Sequence, residues 1–118
     1  MAVARFHLHR VRVSTRSGPG ITWRLLATNN RELGRASTTY PDWGACQAAV
    51  AELRDGLAES VTVIVRTGPT SWGWRIVRGG TVVAVSSRDY QRRTNADYAS
   101  AVVLALIPGA VVADLPGR

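Results

Sequence analysis

Few residues in this chain are of a type that does chemistry, and most of those are arginines. All fifteen basic residues are arginine, with no lysine, against eight carboxylates, so the formal charge is +7. Arginine presents a planar fork that donates two parallel hydrogen bonds to phosphate or carboxylate and keeps its charge at physiological pH. The background rich in Ala, Gly and Val offers a second reading of the missing lysine, the codon usage of a GC-rich genome. Whatever its origin, the positive charge attracts polyanions.

The other candidate groups read as structural. His7-x-His9 sets two imidazoles on one face of a strand, as two metal ligands would sit, but no third ligand is near. Ser37 with Tyr40, and Ser87 with Tyr90, pair a hydroxyl with a phenol. Neither pair has a local base, and recurrence of the spacing marks a strand-to-helix corner rather than a nucleophile. Cys46 is the sole cysteine, which excludes an internal disulfide and a thiolate zinc site, and it reads as a small buried hydrophobe. In RSGP (16–19) and RTGP (66–69) proline follows glycine and removes a backbone donor, so these are hairpin turns and not phosphate loops. Trp23, Trp72 and Trp74 read as core; their other use would be a stacking platform for unpaired bases. Trp43 is expected to cover the sheet edge or the Tyr40 corner. No catalytic residue, cofactor or metal is expected, and the chain does not read as an enzyme.

The elements that must position these residues recur. RSGP returns as RTGP at an offset of 50, WRLL (23–26) as WRIV (74–77) at 51, and Ser37-x-x-Tyr40 as Ser87-x-x-Tyr90 at 50. Three matches in the same order indicate two copies of a β-β-β-α unit, about 4–59 and 60–115, within a single domain spanning 1–118. In the first copy, strands are expected from Ala4 to Val13, Ile21 to Ala27 and Glu32 to Thr38, with a tight turn at Asn29-Asn30. Asp42 caps a helix whose stripe is Ala45, Ala49, Val50 and Leu53, and Gly56 ends it. In the second copy, strands are expected over Val61 to Arg66, Trp72 to Arg78 and Val82 to Ser86, with Gly79-Gly80 as a hairpin turn. Thr94-x-x-Asp97 resembles a capping box for a helix to about Leu106, and Ala110 to Ala113 forms a closing strand. Each half of about 50 residues is too small to be stable alone, so the two should share one core.

Charge follows these elements. Residues 1–41 carry seven arginines against Glu32, and residues 60–93 carry six against Asp89, whereas residues 42–59 carry Arg54 against four carboxylates. If both helices cover one face of the sheet, the positive pole is the open face with its loops. Strand alternation puts Trp23 and Trp74 on one side and Arg24 and Arg75 on the other. Arg66, which shares a face with Thr62 and Ile64, is expected to join that pair, and Arg78 completes the candidate nucleic-acid-binding set of Arg24, Arg66, Arg75 and Arg78.

The run W-R-L, a short turn, S-x-x-Y, an alanine-rich helix and the closing PGAVVADL resembles the YegP-like domain of unknown function over about residues 4–115. Trp23, Asn30, Ser37 and Tyr40 match its first repeat; Trp74, Ser87, Tyr90 and Ala110 to Leu115 match its second. The resemblance implies an α+β fold in which two repeats build one antiparallel sheet, with exchanged C-terminal strands and both helices on one face. Single-repeat members form the equivalent homodimer, so this chain would be a monomeric pseudo-dimer. It departs from the pattern at Gly79-Gly80, where the family has an alanine-asparagine turn, and in lacking lysine. The family has no established activity to transfer.

No apolar run approaches the roughly 20 residues of a membrane-spanning helix, and MAVARFHLHR lacks the apolar core of a signal peptide, so a cytoplasmic protein is expected. Together these features point to a small binding module that engages RNA or DNA through a basic sheet face and loops. The alternative is a protein-protein interaction or scaffold module that uses the open face or an edge strand.

Overall fold

The computed structural model describes residues 3–12 and 19–113. Most of the RSGP turn, Val13, and Asp114 and Leu115 of the C-terminal match lie outside the described residues. The chain is α+β, in the order β1 (Arg5–Arg12), β2 (Pro19–Leu26), β3 (Glu32–Ala36), α1 (Trp43–Asp55), β4 (Val61–Gly68), β5 (Ser71–Arg78), β6 (Thr81–Ser86), α2 (Arg93–Leu106) and β7 (Val111–Val112). No helix among the described residues is long and apolar enough to cross a membrane.

The turns form where the backbone needs left-handed residues. Asn30 has φ +70°, and Gly79 and Gly80 have φ +57° and +81°. Two consecutive positive φ values give the hairpin turn whose twist matches that of its strands, and asparagine tolerates the same region. After each third strand the chain is pinned by a backbone bridge: Tyr40 and Ile21 exchange N–H···O bonds of 2.7 and 2.8 Å, and Tyr90 and Trp72 exchange two of 2.7 Å. These bridges, not the tyrosine phenols, define the corners.

The Asp42 carboxylate accepts a hydrogen bond from the Ala45 N–H at 2.8 Å and caps α1 as expected. The second helix differs from expectation. It starts at Arg93 after Arg92, with no side-chain cap, so Thr94 lies inside the first turn instead of capping it. The Tyr90 bridge already fixes where the chain can turn into a helix, and that point falls two residues before the threonine.

All seven strands lie in one sheet, in the order β4-β5-β6-β3-β2-β1-β7. The sheet is mixed, which corrects the expected all-antiparallel arrangement: β7 runs parallel to β1, with Val111 beside Arg5 and Val112 beside Phe6. A hairpin would force an antiparallel partner, but β7 reaches β1 through the whole length of the chain and arrives at its start. Of the expected exchange of C-terminal strands one side is present: the chain after α1 continues into β4, whereas the segment after α2 crosses the sheet as a short strand to pair with β1. Arg54 of α1 donates to the Ala110 carbonyl and holds that segment in place.

Both helices pack on the same side. Cys46, Val50 and Leu53 of α1 and Val103 of α2 join Phe6, Leu8, Trp23, Leu25, Trp74, Ile76 and Ala84 in one buried cluster. At the β3–β6 seam the Trp74 indole lies against Gly34. A Cβ at position 34 would stand 2.6 Å from the ring and 3.2 Å from the Val85 carbonyl oxygen. Only glycine lets the buried indole reach across the seam.

Two outcomes follow from this packing. Gly34→Ala should destabilise the protein by about 1–3 kcal/mol in urea unfolding, the usual cost of overpacking a core. Combining it with Trp74→Phe should recover part of that loss; a Gly34→Ala variant as stable as the parent would contradict the seam. Burial raises the Cys46 thiol to about 11, so it should resist iodoacetamide in the native protein and react at the rate of unfolding.

Candidate nucleic-acid interface

The side of the sheet away from the helices is built by register. Across it run His7 of β1, Arg24 of β2, Arg35 of β3, Val85 of β6, Arg75 of β5 and Val63 of β4, each directly opposite the next. Strand spacing of about 4.8 Å puts Arg24 and Arg35 side by side and Arg75 two strands beyond. Arg24 and Arg75 thus share the uncovered face, as the alternation predicts.

Two cations directly opposite each other repel, and Glu32 relieves the repulsion. Its carboxylate lies 3.5 Å from the Arg24 guanidinium and 3.4 Å from that of Arg35. Arg35 also donates to the Ser87 carbonyl at 3.1 Å. These contacts hold both guanidinium groups in place while leaving them solvated, with side-chain exposures of 39% and 53%. Arg75 stands exposed on its own strand.

Arg66 and Arg78 lie elsewhere. Arg66 pairs with Trp72, one step along from Ile64 opposite Trp74, so it belongs to the helix-covered side and not to the open face. There its guanidinium sits 4.6 Å over the Trp72 ring and donates to the Pro69 carbonyl at 2.9 Å. Arg78 reaches the end of α1 and donates to the Glu52 carbonyl at 3.3 Å, where a cation meets the negative end of the helix dipole. Its guanidinium lies so close to Gly56 that a Cβ there has no room. Arg35, by contrast, was not singled out from sequence. Its signal was the pairing of β3 with β2, which places it opposite Arg24.

The remaining candidates have structural surroundings. The imidazoles of His7 and His9 are stacked, 5.6 Å apart and 15° from parallel. Arg24 donates to His7 Nδ1 at 3.3 Å, which takes the lone pair a metal would need. Among the described residues no group of three or more His, Cys, Asp or Glu is placed to hold a metal. Burial, and then the Arg24 charge, hold both histidines below the ordinary range. Ser37, the residue after β3, donates to the Val82 carbonyl of β6 at 2.7 Å. Trp23 and Trp74 are buried against the helices and cannot act as a platform. Trp43 packs against the core, with the Arg10 guanidinium 5.4 Å over its ring.

No protein-family model matches the chain, and no curated protein matches it in sequence. Solved structures do match. The solution structure of the protein of unknown function yegP from E. coli aligns with a TM-score of 0.73, covering 100% of this chain and 97% of that one at 15% identity. That of a UPF0339 protein from Shewanella oneidensis aligns with a TM-score of 0.71, covering 94% and 90% at 10% identity. At such identities the likeness is one of fold, and the chain has the fold of the YegP-like domain.

Proposed function

We propose that the protein is a non-enzymatic binding module whose open sheet face engages RNA or DNA through phosphate contacts. The observation that carries this reading is the row of Arg24, Arg35 and Arg75 on the uncovered face. The surplus of arginine over carboxylate in the strand segments, and the reverse in α1, add a field that steers a polyanion to the same side. The reading places the protein in the cytoplasm, without a cofactor.

The same reading takes the chain as a duplicated unit, a covalent pseudo-dimer. The two backbone bridges, Ile21 to Tyr40 and Trp72 to Tyr90, support this, being offset by 51 and 50 residues. So do the bulges at Leu25/Leu26 and Ile76/Val77, offset by 51. A second reading, a protein-interaction module, draws on β4. This strand forms one edge of the sheet and exposes Val61 at 60% and Val63 at 41%. An edge of this kind can pair with a strand of another protein.

Fluorescence anisotropy with a short single-stranded RNA at several salt concentrations tests the first reading. The affinity should fall with salt with a log–log slope near −2 from these three arginines, at about −0.7 per phosphate neutralised. The triple variant R24A/R35A/R75A should lose most of that slope, whereas R66A/R78A should keep it. Absence of binding at low salt would reject the function, and an unchanged slope in the triple variant would reject the face.

The histidines add a pH dependence. In the unfolded chain they titrate near 6.5, whereas in the folded protein they protonate at lower pH. Their contribution to stability is therefore complete above about 6.5 and is lost as pH falls through the folded values. The urea midpoint should drop between pH 7 and 5.5, and H7N/H9N should flatten that drop.

A further inference from the structure

Beyond the sheet face, the fold contains two clefts lined by residues at a constant offset of 50, and they are filled differently. One lies between the start of β3 and α2, and its lining includes Arg31, Leu33, Arg88, Tyr90, Tyr98 and Val103. The other lies between the start of β6 and α1, where Thr81, Val83, Thr38, Tyr40 and Leu53 take the corresponding places. In the second cleft the side chain of Arg78 lies along the wall and donates to the Glu52 carbonyl. The position corresponding to Arg78 in the other half is Ala27, by the 51-residue offset of their strands, and it does not line the first cleft. The first cleft is accordingly larger, about 360 Å³ against 280 Å³.

The chemistry of the larger cleft is amphipathic. Its floor is apolar, from Leu33 and Val103, both packed in or against the core. Tyr90 forms part of one wall, with the Arg88 guanidinium 5.3 Å over its ring. Tyr98 projects from α2 at the rim, 73% exposed. Arg31 and Arg88 come from β3's turn and from the corner before α2, and among the described residues neither is held in a salt bridge. Glu32 also borders the cleft, but its carboxylate is taken by Arg24 and Arg35. A concave site of a few hundred cubic ångströms, apolar below with a few convergent polar groups, suits a small molecule.

We infer that this cleft binds a small organic anion, with a planar apolar body against Leu33, Val103 and the tyrosines and a carboxylate or phosphate between Arg31 and Arg88. The site is separate from the sheet face, so it stands or falls independently of nucleic-acid binding. The test is an NMR titration of the ¹⁵N-labelled protein with phenylacetate, phenyl phosphate and the uncharged phenylacetamide. One or both anions should give saturating shifts at the amides of Leu33, Tyr90 and Val103, and the tighter one identifies the headgroup. Phenylacetamide, and either anion against R31A/R88A, should bind at least about tenfold more weakly, as expected for loss of a charge-assisted hydrogen bond. Y98A, an exposed substitution, should also weaken binding, whereas R75A, on the sheet face and without contact to Glu32, should leave it unchanged. No saturation with either anion, equal affinity for phenylacetamide, or full affinity in R31A/R88A would overturn the assignment.

Discussion

The structure depends on a sheet covered by helices on one side only. Strand residues alternate between two environments, so once α1 and α2 settle on one face every side chain in β1 to β6 is assigned to core or to water. The assignment propagates across the sheet because paired residues point the same way. Trp74 fixes it at the centre: the indole crosses the β3–β6 seam onto Gly34, and the side chains of Arg75 and Arg35 are thereby turned to the opposite face. The arginine row is thus a consequence of how the core closes.

Much of this was legible in the sequence, and the places where it was not are instructive. The tryptophans and their alternating arginines in β2 and β5 could be read because each strand carries a strong apolar signal on one side. Strand β4 misled for the opposite reason. Its valines alternate with Thr62, Ile64 and Arg66, which suggests that the valine side is buried and the arginine side open. The register sets Val63 opposite Arg75 and Ile64 opposite Trp74, so Val61 and Val63 lie on the uncovered side and stay in water while Ile64 turns toward the core. Arg66 went with Ile64. Arg78 follows the inward parity of Trp74 and Ile76, but at a hairpin its length takes it to the end of α1. Arg35 lies in RELGRAS, a stretch with no periodic apolar signal, and only the pairing of β3 with β2 shows its place. The parallel direction of β7 is a property of long-range connection that no local pattern encodes.

The open face is itself divided. Its β1–β3 side carries His7, Arg24 and Arg35 with Glu32 among them, while its β4–β6 side carries Val63, Val77 and Val85 around Arg75. A polyanion would find its fixed charges on the first side and a less polar surface on the second. The histidines couple that face to pH. Protonating them adds charge beside Arg24, against the burial and repulsion that keep them neutral, so the face gains positive potential only as the fold loses stability.

The most direct measurement of the central claim is the footprint of a bound oligonucleotide, read as amide chemical-shift changes across the whole protein at low salt. The account predicts changes concentrated on the strand amides around Arg24, Arg35 and Arg75, with α1 and α2 unaffected. Changes centred on the helices, or a footprint with no relation to the arginine row, would contradict it.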